Sequence, residues 1–169
     1  MCYLQTTLEM FVNLMNDKEK IILKKLLKEK ASQILHARID TALAAMSEAQ
    51  LAANEEGKSS VGDKYETSRA MAQIDRDIHA RQLESAQKEL NFIQHVDVSL
   101  FCKQVEIGAY VNTENGKYFF LTGLGSVDLD DEKIIFLSIS SPIGKIFLGK
   151  KAGDKVNFNG KEIIIREMF

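Results

Sequence analysis

The feature that most limits what this chain can fold into is a pair of long stretches with nothing to stop a helix. From Asn16 to Glu56, and again from Asp63 to Gln94, there is neither glycine nor proline, and most positions carry good helix formers. Leu35, Ile39, Ala42, Met46, Ala49 and Ala53 step by four and three, the seam spacing of a coiled coil. In the second stretch Met71, Ile74 and Ile78 form one apolar row, and Leu83, Ala86, Leu90 and Ile93 form another, slightly rotated. Between the two stretches lies ANEEGKSSVGDKYETSRA, residues 53–70, with Gly57 and Gly62 bounding a break. Two long helices joined by a short loop should fold back on each other. The longer arm would then reach roughly 55–60 Å at about 1.5 Å per residue. Its alanine-rich seam buries little area per contact, so the stability of the hairpin rests on its length and on whatever holds its base.

The pattern changes at about Val96. Nine of the ten glycines lie after residue 60, and β-branched and aromatic residues come in short runs. VEIGAYVNT, KYFFLTGLG, KIIFLSIS, DKVNFNG and KEIIIREMF read as strands bounded by turn signals. Asn159-Gly160 is a two-residue hairpin signal joining the last two. SPIGKIFLG reads as a short helix with Ser141 as its N-cap and Pro142 at its first position. The expected class is α+β. An antiparallel helical hairpin over residues 16–95 precedes a small, mainly antiparallel β domain over 96–169, with 1–15 as an N-terminal extension. MCYLQTTLEMFVNLM reads either as a frayed helical extension or as sequence upstream of a start at Met15, where Asn-Asp-Lys-Glu opens a helix.

Apolar residues make up 45% of the 169, enough to bury a core. A net charge of −2 gives no whole-molecule attraction for nucleic acid or anionic membrane, so only local patches could supply it. Cys2 and Cys102 match no metal or redox spacing and read as free thiols of a reducing cytoplasm. His36, His79 and His95 are scattered. No run approaches the ~18 apolar residues of a membrane span.

Charge is uneven along the helical arm. Residues 17–38 hold seven Lys or Arg against three acids, whereas 48–66 hold Glu48, Glu55, Glu56, Asp63 and Glu66 against Lys58 and Lys64. Part of that acidity is explained by local structure: Asp63-x-x-Glu66 resembles a capping box, and acids at a helix N-terminus gain from its dipole. Glu55 and Glu56 sit at the end where the dipole disfavours them, with Gly57 as the C′ residue. The tip is therefore a concentration of carboxylates, the hard oxygen ligands that Mg²⁺ takes. One hairpin tip supplies only one or two ligands, so it would bind a metal well only by completing another protein's site.

Two stretches carry a family resemblance. LSISSPIGKIFLGKKAGDKVNFNGKEIIIREMF, residues 137–169, and Gly62-Asp63-x-x-Glu66 resemble the Gre family of bacterial transcript-cleavage factors. The likeness covers roughly residues 30–169 and is closer in the β domain than in the helices. It implies an N-terminal antiparallel coiled coil and an FKBP-like C-terminal β domain. It also implies RNA polymerase as the partner and insertion of the tip into the polymerase secondary channel. By the same resemblance, Asp63 and Glu66 help to hold a catalytic Mg²⁺ shared with the polymerase, which then hydrolyses its own backtracked RNA. The factor itself would not be an enzyme. The chain departs from the family where Lys58–Val61 lengthens the loop and where Thr67-Ser68-Arg69 follows Glu66.

The rival reading is a channel-occupying regulator without cleavage. A prolyl isomerase would need an aromatic pocket, whereas Tyr110, Tyr118, Phe119, Phe120, Phe136, Phe147 and Phe158 read as core. A structural coiled coil dimerising through residues 17–50 is a further alternative to the expected monomer. Lys145, Lys150, Lys151 and Lys155 are candidate polymerase contacts. Lys24 and Lys28, in the basic half of the first helix, are candidates for backtracked RNA.

Overall fold

The computed structural model describes residues 15–56, 62–129 and 131–169. Two helices, α1 (Asp17–Glu56) and α2 (Gly62–His95), precede six strands: β1 (Tyr110–Thr113), β2 (Gly116–Phe120), β3 (Gly125–Leu129), β4 (Glu132–Leu137), β5 (Lys155–Phe158) and β6 (Lys161–Met168). A short helix, α3 (Pro142–Phe147), lies between β4 and β5. The expected α+β order of helical hairpin and β domain is what the chain adopts.

α1 opens with a reciprocal cap. Asn16 Oδ1 accepts from the Glu19 amide at 3.0 Å, and Glu19 Oε2 accepts from the Asn16 amide at 2.8 Å. Two otherwise orphaned donors are satisfied there, which sets the helix start. The chain packs as two compact units that divide α1: one takes its described residues to Ala31 with Val96–Phe169, the other is Ser32–His95.

In the first unit the sheet order is β3-β4-β2-β1-β6-β5. β2 and β4 pair in parallel, with Phe119 beside Phe136, and every other neighbouring pair is antiparallel. Alternation along the strands sends residues to opposite faces. Val111, Tyr118, Phe120, Ile163 and Ile165 join Phe147 of α3 in one buried cluster. Tyr110, Phe119 and Phe136 are also fully buried; Tyr110 stacks on Phe169 at 4.8 Å, and Phe119 meets Phe136 edge-on at 5.4 Å. The segment GSVDL, not expected as a strand, forms the edge strand β3, where Val127 alone is buried.

The motifs near the C-terminus have mechanical explanations. Ser141 Oγ accepts from the Gly144 amide at 3.0 Å and donates to the Ser138 carbonyl at 2.7 Å, so the expected N-cap forms, with Pro142 at the start of the helix. Gly144 lies so close to the preceding chain that a Cβ would fall 2.1 Å from the Ser138 oxygen. In Leu148-Gly149-Lys150, the Gly149 amide donates to Val105 O, and Lys150 O accepts from Val105 N at 2.7 Å. In Gly153-Asp154, both residues bond to the backbone of Ile165. Asn159 and Gly160 have φ of 52° and 76°, as the tight β5–β6 turn requires.

In the second unit, Arg76 Nη1 donates to Gln50 Oε1 at 2.9 Å, consistent with antiparallel helices. Leu35, Ala42, Ala86 and Ile93 are buried in the seam, and Ile39, Met46, Ala49, Leu83 and Leu90 are half-buried. The side chain of Ala53 lies outside the described residues. Met71, Ile74 and Ile78 differ from the expected pairing: they are 54, 51 and 46% exposed. Their rotation away from the Leu83–Ile93 row carries them off the contact line, and the partner helix is too slender to cover both rows.

Candidate functional site

At the arm's tip, α1 ends at Glu56 with no basic residue in its last turn, and α2 starts at Gly62. Gly57–Val61 lie outside the described residues, as do the side chains of Glu55, Glu56, Asp63 and Glu66. Backbone position still places the two candidate acids. Asp63 falls within the first turn of α2 rather than at its cap, because the helix already begins at Gly62. Glu66 follows three residues later, so both occupy one helix face beside the positive end of the dipole. Among the described residues, no group of three or more His, Cys, Asp or Glu could hold a metal ion.

The basic half of α1 behaves differently from the expectation that it faces RNA. Lys20, Lys24 and Lys28 step by four and share one helix face. Lys24 is 1% exposed, and its Nζ donates to Leu100 O at 2.7 Å and faces Cys102 Sγ at 3.7 Å. Lys28 Nζ donates to Val96 O at 2.7 Å. Lys20 Nζ meets Glu167 Oε1 at 2.6 Å and lies 5.2 Å from the centre of the Phe169 ring. Lys24 is thus withdrawn from any RNA-facing surface, and the Lys28 ammonium is turned to the backbone. The signal was present in the sequence: these lysines run in phase with Leu27, Ala31 and Leu35, all fully buried. Lysine stems pack along apolar surface while their ammonium heads find carbonyls at the edge.

These bonds build a neck where the chain leaves the β unit in α1 and returns at Val96. Asp97 Oδ1 accepts from the Ser99 amide at 2.8 Å and the Ser99 hydroxyl at 2.6 Å, which holds the Asp97 carboxyl below its usual range. Burial pushes the Lys24 ammonium pKa down, an effect partly offset by Cys102, Asp97 and Glu106. Burial likewise pushes the Cys102 thiol up, against the pull of Lys24.

Of the four lysines expected to contact polymerase, Lys155 is engaged with Glu162 at 2.8 Å, an interaction that raises its pKa. Lys145 on α3 and Lys150 and Lys151 in the following turn are exposed, and their backbones are held in place by the α3 and Val105 bonds. The aromatic residues fill the core: Phe147 packs against Tyr118 and Phe120 at 5.5 and 5.7 Å, leaving those rings to one another rather than to a peptide. Among the described residues, the buried Tyr110 Oη and Glu167 Oε2 have no hydrogen-bond partner. Burial and the nearby Glu132 and Glu167 raise the Tyr110 pKa.

Among the described residues, no helix is long and apolar enough to cross a membrane. Comparison with known proteins gives one family match: residues 101–166 fit the family described as transcription elongation factor, GreA/GreB, C-term. No curated protein and no solved structure matches the chain. The matched span holds all of β1–β5 and α3 and most of β6, including the Ser141–Gly144 and Leu148–Lys150 motifs.

Proposed function

We propose that this chain, whose residues 101–166 fit the family described as transcription elongation factor, GreA/GreB, C-term, is an RNA polymerase-binding factor that stimulates cleavage of backtracked RNA. The β domain docks on the polymerase, with Lys145, Lys150 and Lys151 as contact candidates. The helical arm enters the secondary channel. The observation that carries the cleavage reading is the placement of Asp63 and Glu66, three residues apart at the start of α2.

In this reading the two carboxylates complete the coordination of a Mg²⁺ otherwise held by the polymerase. When bound, such an ion would supply Lewis-acid chemistry, activating water and offsetting charge on the scissile phosphate. The chain's own part is to present two anionic oxygens at fixed spacing on a helix end and to orient water by hydrogen bonding. The polymerase remains the nuclease.

A second reading, channel occupation without cleavage, draws support from Lys58–Val61, which lengthens the loop before Gly62, and from Arg69 close to the acids in sequence. One experiment separates the two readings. Backtracked elongation complexes with a cognate bacterial polymerase are incubated with wild-type protein and with Asp63→Asn/Glu66→Gln. Cleavage predicts Mg²⁺-dependent shortening of the RNA 3′ end. The double variant should lose about 10–100-fold in rate, the range for groups that support a catalytic metal, while polymerase binding persists. Binding without shortening in either protein selects the regulator.

A further inference from the structure

Cys102 is not needed for either reading, and its surroundings are unusual for a free thiol. It lies half-buried in the neck with the nitrogen of the fully buried Lys24 3.7 Å from its sulfur. The amine belongs to α1 and the thiol to the segment before β1, so the pair joins points 78 residues apart in the chain. A carbonyl bond at 2.7 Å to Leu100 O aims the Lys24 amine and keeps its nitrogen beside the sulfur. Reacting atoms held about 3–3.5 Å apart gain a large proximity advantage, and this pair starts just outside that range.

We propose that Lys24 and Cys102 form an oxidative cross-linking site, in which a peroxide couples the lysine amine to the cysteine sulfur. In the first step the sulfur attacks one peroxide oxygen and the O–O bond breaks. The departing oxygen leaves as water with the thiol proton, and the sulfur becomes a sulfenic acid. In the second step the lone pair of the neutral amine attacks that sulfur. The S–N bond forms, the S–O bond breaks, and the hydroxyl leaves as water with a proton from the amine. One thiol, one amine and one peroxide thus give one sulfenamide link and two waters; sulfur is oxidised and the peroxide reduced.

Desolvation favours the neutral amine, the form the second step requires. The same desolvation disfavours the thiolate, so the first step is slow and the site responds to sustained oxidant rather than to brief pulses. The product closes a long loop across the neck, which stabilises the folded chain by limiting the unfolded one.

The test treats the full-length chain with hydrogen peroxide and maps its peptides by mass spectrometry, with Cys2 as an internal reference thiol. The expected product joins the Lys24 and Cys102 peptides, is lighter than their sum by two hydrogens, and is released by dithiothreitol. Its formation should raise the thermal midpoint of the wild type and leave that of Cys102→Ser unchanged. This variant keeps the size and polarity of the site and leaves the buried lysine with its Leu100 partner, so folding is preserved. Recovery of Cys102 as a sulfinic or sulfonic acid, as a disulfide with Cys2, or unmodified while Cys2 oxidises would overturn the proposal.

Discussion

Gly144 shows how much can depend on a missing Cβ. Its backbone geometry is ordinary; the constraint is the 2.1 Å that would separate an added methyl from the Ser138 carbonyl, a group already fixed by Ser141. Neither backbone can yield cheaply, so Gly144→Ala should cost at least the about 1–3 kcal/mol typical of overpacking, read as a lower urea midpoint. The neck pair carries a second prediction. Lys24 titrates below its ordinary 10.5 in the fold, so its burial penalty fades and stability rises as pH climbs toward 10.5. Cys102 titrates above its ordinary 9.0, so the folded chain keeps that proton longer and stability falls as pH rises past 9.0. Asp97 and Glu106 face the same groups and favour the charged amine. Replacing Cys102 with serine removes one of two opposing slopes and leaves the tyrosines and surface lysines common to both proteins. The urea midpoint of Cys102→Ser should therefore climb more steeply with pH between 9.0 and 10.5 than that of the wild type. Parallel curves would show that the Cys102 thiol is not raised in the fold.

At the scale of elements, the two apolar rows of α2 are alike in the sequence and unlike in the structure. Ile93 is fully buried, whereas Ile74 is 51% exposed. Ile93→Ala should cost about 2–5 kcal/mol and Ile74→Ala no more than about 0.5 kcal/mol, measured by chemical unfolding of each variant. Periodicity reports that a row is apolar, but a single partner helix covers one contact line, and the sequence does not say which. Helix ends were legible because Asn16, Glu19 and Ser141 act within three or four residues of themselves. The β5–β6 turn was legible for the same reason. β3 was not, since Gly-Ser-Val-Asp-Leu becomes a strand only through pairing with β4. The neck was hidden for a related cause: lysines in a basic run read as solvated until the chain returning at Val96 supplies the carbonyls. Asp63 and Glu66 were singled out by family resemblance and local spacing alone, and their side chains lie outside the described residues.

For the whole molecule, the decisive fact is topological. The Ser32–His95 unit is an insertion into the other unit, which owns the chain on both sides of it. Lys24 and Lys28 fasten the outgoing helix to the returning strand segment at Leu100 and Val96. Replacing residues 35–92 with a short flexible turn should leave a folded β unit with cooperative thermal unfolding. Its polymerase binding should persist and all RNA cleavage should disappear. Loss of the folded state in that variant would show that the arm supports the base rather than the reverse. Because the fastening lies at the entrance, the arm is also a ruler whose length can be reset. Removing seven residues from each helix, in step, keeps the same seam positions in contact and shortens the reach by about 10 Å. On the proposed function, whole-heptad changes of this kind would reset how deep the arm reaches into the polymerase without altering a residue of the β domain.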